Sequence, residues 1–171
     1  MTYSEIFMVK SESNLSPKEI FIELIQEHQG IINKIIFLYE DNAETQEDLK
    51  QEVLLQAWKS YKNFRGDSLF STWLYRVTLN TVLSWRRKQR IKYTTDFPKH
   101  IEAPKEEASN ESELLWNAIK SLEDIDRSMI TMHLDGYGNE EVANILGISV
   151  NHVGVKLHRI KKKLTQLLKK N

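Results

Sequence analysis

The sequence predicts an all-α protein of two small helical domains joined by a flexible acidic linker. Three observations predict it. Only 6 Gly and 3 Pro occur in 171 residues, and no Asn-Gly or Asp-Gly hairpin turn is present. Apolar residues recur three and four apart over most of the chain, the period of a helix face. One stretch, from Tyr93 onward, breaks the period and reads "TTDFPKHIEAPKEEASNESE", with six acids and two of the three prolines. That stretch is too polar to bury a core. The expected division is a tail at 1–16, a first domain at 17–92, a linker at 93–112 and a second domain at 113–171.

The elements follow in order. Ser16 before Pro17 is a helix start, with a capping hydroxyl and proline at the first helical position. Ile20, Leu24, Ile31, Ile35 and Leu38 then share helical spacing, and Gly30 marks a bend or interruption. In "TQEDLKQEVLLQAWKSYKNF", Leu49, Val53, Ala57 and Tyr61 form one stripe, and Thr45 with Asp48 resembles a capping box. "RGDS" after Phe64 is a turn. A third helix runs from about Leu69 to Arg90. A second helical block starts near Leu114.

Composition bounds the function. The chain has no Cys, so no disulfide framework, thiolate metal site or cysteine nucleophile is available. The N-terminus lacks the basic start and apolar run of a signal peptide, and no apolar run is long enough to span a membrane. A cytoplasmic location is expected. Net charge is +0, but the charge is sorted. Gly147–Asn171 holds seven Lys/Arg and no acid, Ser84–Lys92 holds five and none, and Glu40–Glu52 holds six acids against Lys50. His152 and His158 lie on different helix faces and the other histidines are scattered, so no metal and no cofactor is expected. Asp48 and Glu52, four apart on one helix, look like a docking surface rather than a catalytic pair.

The segment "NEEVANILGISVNHVGVKLHRIKKKL" meets the steric demands of a helix-turn-helix. Ala143 is small where two helices touch, Gly147 suits a tight turn, and Val153 anchors the second helix. Asn139 and Ser149 are the expected caps. Val153, Leu157, Ile160 and Leu164 form the buried face. Asn151, His152, Val155, Lys156, His158 and Arg159 face outward, and Lys161–Lys163 would meet phosphates.

The segment from Phe64 to Arg90 raises a different question, because Phe64, Phe70, Trp73, Tyr75 and Trp85 precede a cluster of arginines. Each ring alone suits packing. Together with Arg76, Asn80, Ser84 and Arg87 at helical spacing from Trp73, they offer rings, an amide and cations along one stripe. Single-strand readers need that combination, since an unpaired base stacks on a ring. Leu74, Val77, Thr81 and Trp85 would then be mostly core.

On these residues the segment "DLKQEVLLQAWKSYKNFRGDSLFSTWLYRVTLNTVLSWRRK" resembles domain two of the extracytoplasmic-function (ECF) sigma factors, and the last block resembles their domain four. The resemblance covers about residues 17–92 and 112–168. It implies a sigma domain two helical bundle and a sigma domain four helix-turn-helix. It also implies an alternative sigma factor that joins core RNA polymerase, directs promoter recognition and DNA melting, and performs no catalysis. Asp48, Leu49, Gln51, Glu52, Leu55 and Trp58 would dock on the clamp coiled coil of the largest polymerase subunit, and the flap region would be a second contact. Phe64, Arg65, Ser68, Thr72, Trp73, Tyr75, Arg76 and Asn80 would hold and read the −10 element, with Arg86, Arg87 and Lys88 on its backbone. Ser149, Asn151, His152, Val155, Lys156, His158, Arg159 and Lys162 would bind the −35 element. The partners implied are polymerase, promoter DNA and an anti-sigma factor, often membrane-bound, with no small-molecule substrate. Gly154 departs from the family, which often carries Arg or Lys there. The alternative is a conventional helix-turn-helix regulator acting on duplex DNA, which leaves the aromatic–Asn–Arg stripe unexplained.

Overall fold

The computed structural model describes residues 16–95 and 111–169. The tail, most of the linker and the last two residues lie outside them. Seven helices and no strand occur among the described residues. The chain divides after Arg86 into two compact units.

The first unit begins with α1, Pro17–Tyr39. The Ser16 hydroxyl accepts the Glu19 N–H at 3.3 Å, and the Glu19 carboxylate accepts the Ser16 N–H at 2.7 Å. This reciprocal pair is a capping box, and proline occupies the first turn as expected. Its hydrogen bond to Ser16 holds the Glu19 carboxyl below the usual carboxylate range. α1 runs through Gly30 without interruption. Helix α2, Ala43–Tyr61, is capped by Asn42 rather than by Thr45. The Asn42 carboxamide oxygen accepts both the N–H and the hydroxyl of Thr45, at 2.9 and 3.1 Å. Leu49, Val53, Ala57 and Tyr61 are buried as the stripe predicts. Gly66, at φ +80°, turns the chain into α3, Phe70–Thr95.

Burial on α3 is rotated from the expected face. Leu74, Tyr75, Thr78, Leu79 and Val82 are buried, while Val77, Thr81 and Trp85 are only half-buried. The rings of Phe21, Trp58, Tyr61, Phe64, Phe70 and Trp73 form one continuous cluster with neighbouring centroids 4.9–6.5 Å apart. Such tilted and edge contacts add to the burial energy. The cluster joins the start of α1, the end of α2 and the start of α3.

The second unit contains α4, Glu111–Lys120, α5, Asp124–Leu134, α6, Asn139–Leu146, and α7, Val150–Leu168. All of α4, α5 and α6 pack against α7. Val153, Leu157, Ile160 and Leu164 are its buried face, as the spacing predicts. Gly138, not Asn139, caps α6, and its N–H donates to the Glu141 carboxylate at 2.9 Å. Gly147 takes φ +69° and ends α6, and Ile148 N–H returns to the Ala143 carbonyl at 3.1 Å. The left-handed turn is the reason glycine stands there. The Ser149 hydroxyl then accepts the His152 N–H at 3.3 Å and starts α7.

Two arginines close helix ends from outside those helices. Arg86 of α3 donates to the Tyr39 carbonyl at the end of α1, at 2.6 Å. Buried Arg127 of α5 donates to the carbonyls of Lys120 and Leu122, at the end of α4 and just beyond it. The last four carbonyls of a helix lack partners within it, and a cation there also meets the negative end of the helix dipole.

Candidate nucleic-acid interface

Two surfaces emerge on α2 and α3. On α2, Asp48, Gln51, Glu52 and Leu55 lie three and four apart on one exposed stripe. Leu55 is 45% exposed, a large apolar side chain set among acids and amides. The Glu52 carboxylate accepts the Gln56 amide at 2.7 Å. Leu49, expected on this surface, is instead buried in the core, because it sits on the opposite stripe with Val53 and Ala57. Trp58 is half-buried, its ring 5.0 Å from that of Phe21. It forms the edge of the stripe where the aromatic cluster begins.

The second surface follows α3. Trp73 is half-buried against Phe64 and Phe70, at 5.0 and 5.1 Å between centroids, which leaves part of the ring open. Arg76 and Asn80 are exposed on the same line and Ser84 is half-buried. Arg87 and Lys88 are exposed further along. Arg65 and Ser68 are exposed on the turn before α3. Three expected members depart from this surface. Thr72 and Tyr75 are buried, at 8% and 2% exposure, so neither presents its side chain to a ligand. Arg86 is turned inward to the Tyr39 carbonyl, with its guanidinium 5.5 Å from the Tyr39 ring centre. The two arginines that look alike in sequence therefore differ, since Arg86 ties helices together and Arg87 faces outward.

In the second unit, α7 presents Asn151, His152, Val155, His158 and Arg159, all exposed. Lys162 is exposed one turn further on. Lys156 is the exception. Its ammonium pairs with the Asp126 carboxylate of α5, and both side chains are about a quarter exposed, at 31% and 21%. The geometry gives Lys156 a partner within the fold, which periodicity along α7 alone does not show. An open groove of 560 Å³ runs beside α7, lined by Asn139 of α6 and by Val150, Asn151, Gly154, Val155, His158 and Arg159. Val150 and Asn139 were not anticipated in a site. Their spacing from Gly154, four residues before it and across the turn, is visible only once α6 and α7 are placed.

Among the described residues, no group of three or more His, Asp or Glu converges as a metal site requires. No helix among them is long and apolar enough to cross a membrane.

Comparison with known proteins supplies the family. The model for Sigma-70 region 2 matches residues 24–91, and that for Sigma-70 region 4 matches residues 112–164. The chain is 30% identical to the RNA polymerase sigma factor YlaC of Bacillus subtilis, covering 85% of this chain and 90% of that one. It is 28% identical to the ECF RNA polymerase sigma-E factor of Escherichia coli, covering 83% of each. Among solved structures, it resembles the sigma factor RpoE in complex with the anti-sigma factor NepR from Bartonella quintana, with TM-score 0.71 and 21% identity over 87% of this chain and 96% of that one. It also resembles CnrH in complex with the cytosolic domain of CnrY, with TM-score 0.68 and 21% identity over 97% of each. These two likenesses establish a shared fold.

Proposed function

Because the chain belongs to the sigma-70 family, in its ECF branch, it is an alternative sigma factor of transcription initiation, and we propose how its surfaces divide that work. The exposed stripe Asp48, Gln51, Glu52 and Leu55 docks on the clamp coiled coil of the largest polymerase subunit. Acids around one apolar anchor suit a basic helical partner. Residues 17–92 act as domain two and residues 113–171 as domain four, with the acidic segment 93–112 as tether.

The observation that carries the −10 reading is the exposed line of α3. It starts at a partly open tryptophan and continues through Arg76 and Asn80 to Arg87 and Lys88. Trp73 offers a stacking face, Asn80 an amide for a base edge, and Arg87 and Lys88 cations for the backbone. In domain four, the outward face of α7 enters the major groove at the −35 element. Its N-terminal residues meet base edges, and Arg159 and Lys162 meet phosphates. One solved structure of this fold, RpoE, was co-crystallised with the anti-sigma factor NepR, and another, CnrH, is in complex with the cytosolic domain of CnrY. An anti-sigma factor covering these same surfaces is the regulator we propose for this chain, with the cytoplasm as its site of action.

The test is run-off transcription from a pool of genomic promoter fragments, using core RNA polymerase with and without this protein. Discrete new transcripts are expected only when it is present. Footprints on duplex DNA without polymerase, and no new transcripts, would instead mark a conventional helix-turn-helix regulator.

A further inference from the structure

The outward face of α7 carries two features that folding does not ask for. Val150 and Val155 are 44% and 46% exposed, although their outward neighbours are polar or cationic. Gly154 stands beside Val155 within the helix. A Cβ placed on it meets nothing closer than the Asn139 amide nitrogen at 3.9 Å, an ordinary contact. Close backbone packing therefore does not require the glycine, and its missing side chain leaves a notch. The notch has apolar walls in Val150 and Val155 and a polar rim in Asn139, Asn151 and His158. Lys156, the neighbouring long cation, is drawn away to Asp126.

The setting argues for DNA as the occupant. From Gly147 to Asn171 the chain has seven cations and no acid. Within the sigma reading, on which this inference rests, the same face meets base edges in the major groove. Valine has no hydrogen bond to offer there. The methyl group that a base pair presents in that groove is the C5-methyl of thymine. Asparagine, by contrast, pairs two-fold with the N6 and N7 edge of adenine.

We propose that the Gly154 notch receives a thymine methyl group of the −35 duplex between Val150 and Val155, while Asn151 reads an adenine beside it. Specificity at that point is then for A·T pairs, from apolar contact with the thymine methyl and from the Asn151 amide on adenine.

Holoenzyme assembled from core polymerase and the full chain tests this on a promoter duplex mapped by run-off transcription. Each −35 thymine is replaced in turn by deoxyuridine, which removes only the methyl. At one or two positions, binding should fall about four-fold, the factor for returning one methyl-sized apolar group to water. Val155→Ala should lose that discrimination and bind the thymine and uracil duplexes alike. Val155 is exposed, so the variant should keep the wild-type circular dichroism spectrum. If the holoenzyme binds and opens the promoter but is indifferent to uracil at every position, the notch is refuted and the sigma reading stands. A uracil effect of equal size in wild type, Val155→Ala and Val150→Ala would put the methyl contact elsewhere and also refutes it. Absence of any polymerase-dependent promoter binding would sink both readings together.

Discussion

Replacing Arg86 with alanine should loosen the first unit rather than weaken its grip on DNA. The guanidinium donates to the Tyr39 carbonyl at 2.6 Å and lies 5.5 Å from the centre of the Tyr39 ring. α1 has no basic residue in its own last turn, so Arg86 supplies the cation from a helix 47 residues away in sequence. A hydrogen bond from a charged donor contributes about 1.5–3 kcal/mol. Arginine over a tyrosine ring at a partly exposed site adds about 0.5–1 kcal/mol. Because Arg86 is half-buried, the low ends apply and the loss is about 2 kcal/mol. For a unit of this size each kcal/mol moves Tm by about 4–8 °C, so a fall of about 8–16 °C is expected. Thermal melts of the full chain measure it, with Trp fluorescence following Trp58, Trp73 and Trp85, and Trp116 reporting on the second unit. Arg87→Ala is the control, since an exposed residue should change stability by no more than about 0.5 kcal/mol while still weakening promoter binding. If Arg86→Ala melts like wild type yet loses promoter affinity as Arg87→Ala does, the helix-tying role is wrong and Arg86 is a phosphate contact after all.

Four other outcomes are expected. Asn80→Ala should slow promoter opening, read by permanganate reactivity of unpaired thymines, while polymerase affinity stays unchanged. A lost polymerase affinity would make Asn80 structural. Arg159→Ala should reduce the slope of log K against log salt by about one contact, whereas Lys156→Ala should leave that slope nearly intact, because its ammonium is engaged by Asp126. Equal slopes for the two variants would contradict the assignment. Gly147→Ala must hold φ +69° with a side chain, which costs about 1–2 kcal/mol and should lower the denaturation midpoint of the second unit. Finally, Glu19 is held below its unfolded pKa by Ser16, so its contribution is present above the unfolded value and lost as pH falls through the folded one. Ser16→Ala should flatten that part of the stability–pH curve, and an unaltered curve would show the capping box to be inert.

What was legible in the sequence was what repeats locally. The stripes Leu49–Val53–Ala57–Tyr61 and Val153–Leu157–Ile160–Leu164 follow from a four-residue period and are buried as read. The Ser16 cap and the Gly147 turn were legible because their partners lie within a few residues. Where two neighbours both qualified as caps, the residue rule chose badly. Asn42 prevails over Thr45, and Gly138 over Asn139, because the cap must sit where the chain leaves its extended approach. The face of α3 was misjudged by part of a turn. That helix is buried over a wide arc, which takes in Thr72 and Tyr75 and leaves a narrow exposed line through Arg76 and Asn80. The pairings Arg86–Tyr39 and Lys156–Asp126 join residues 47 and 30 apart, and no local pattern encodes them.

Gly154 has a consequence for how such a protein changes over generations. A side chain there would find room, and replacing glycine within a helix should firm α7 by about 1 kcal/mol. Most changes that alter what a protein recognises also cost it stability, which limits the routes open to it. If the notch reads the −35 duplex as proposed, a single codon change there would alter the choice of promoters and strengthen the fold at once. Folding would then offer no resistance to the change, and the match between this helix and its promoters would be what disfavours it.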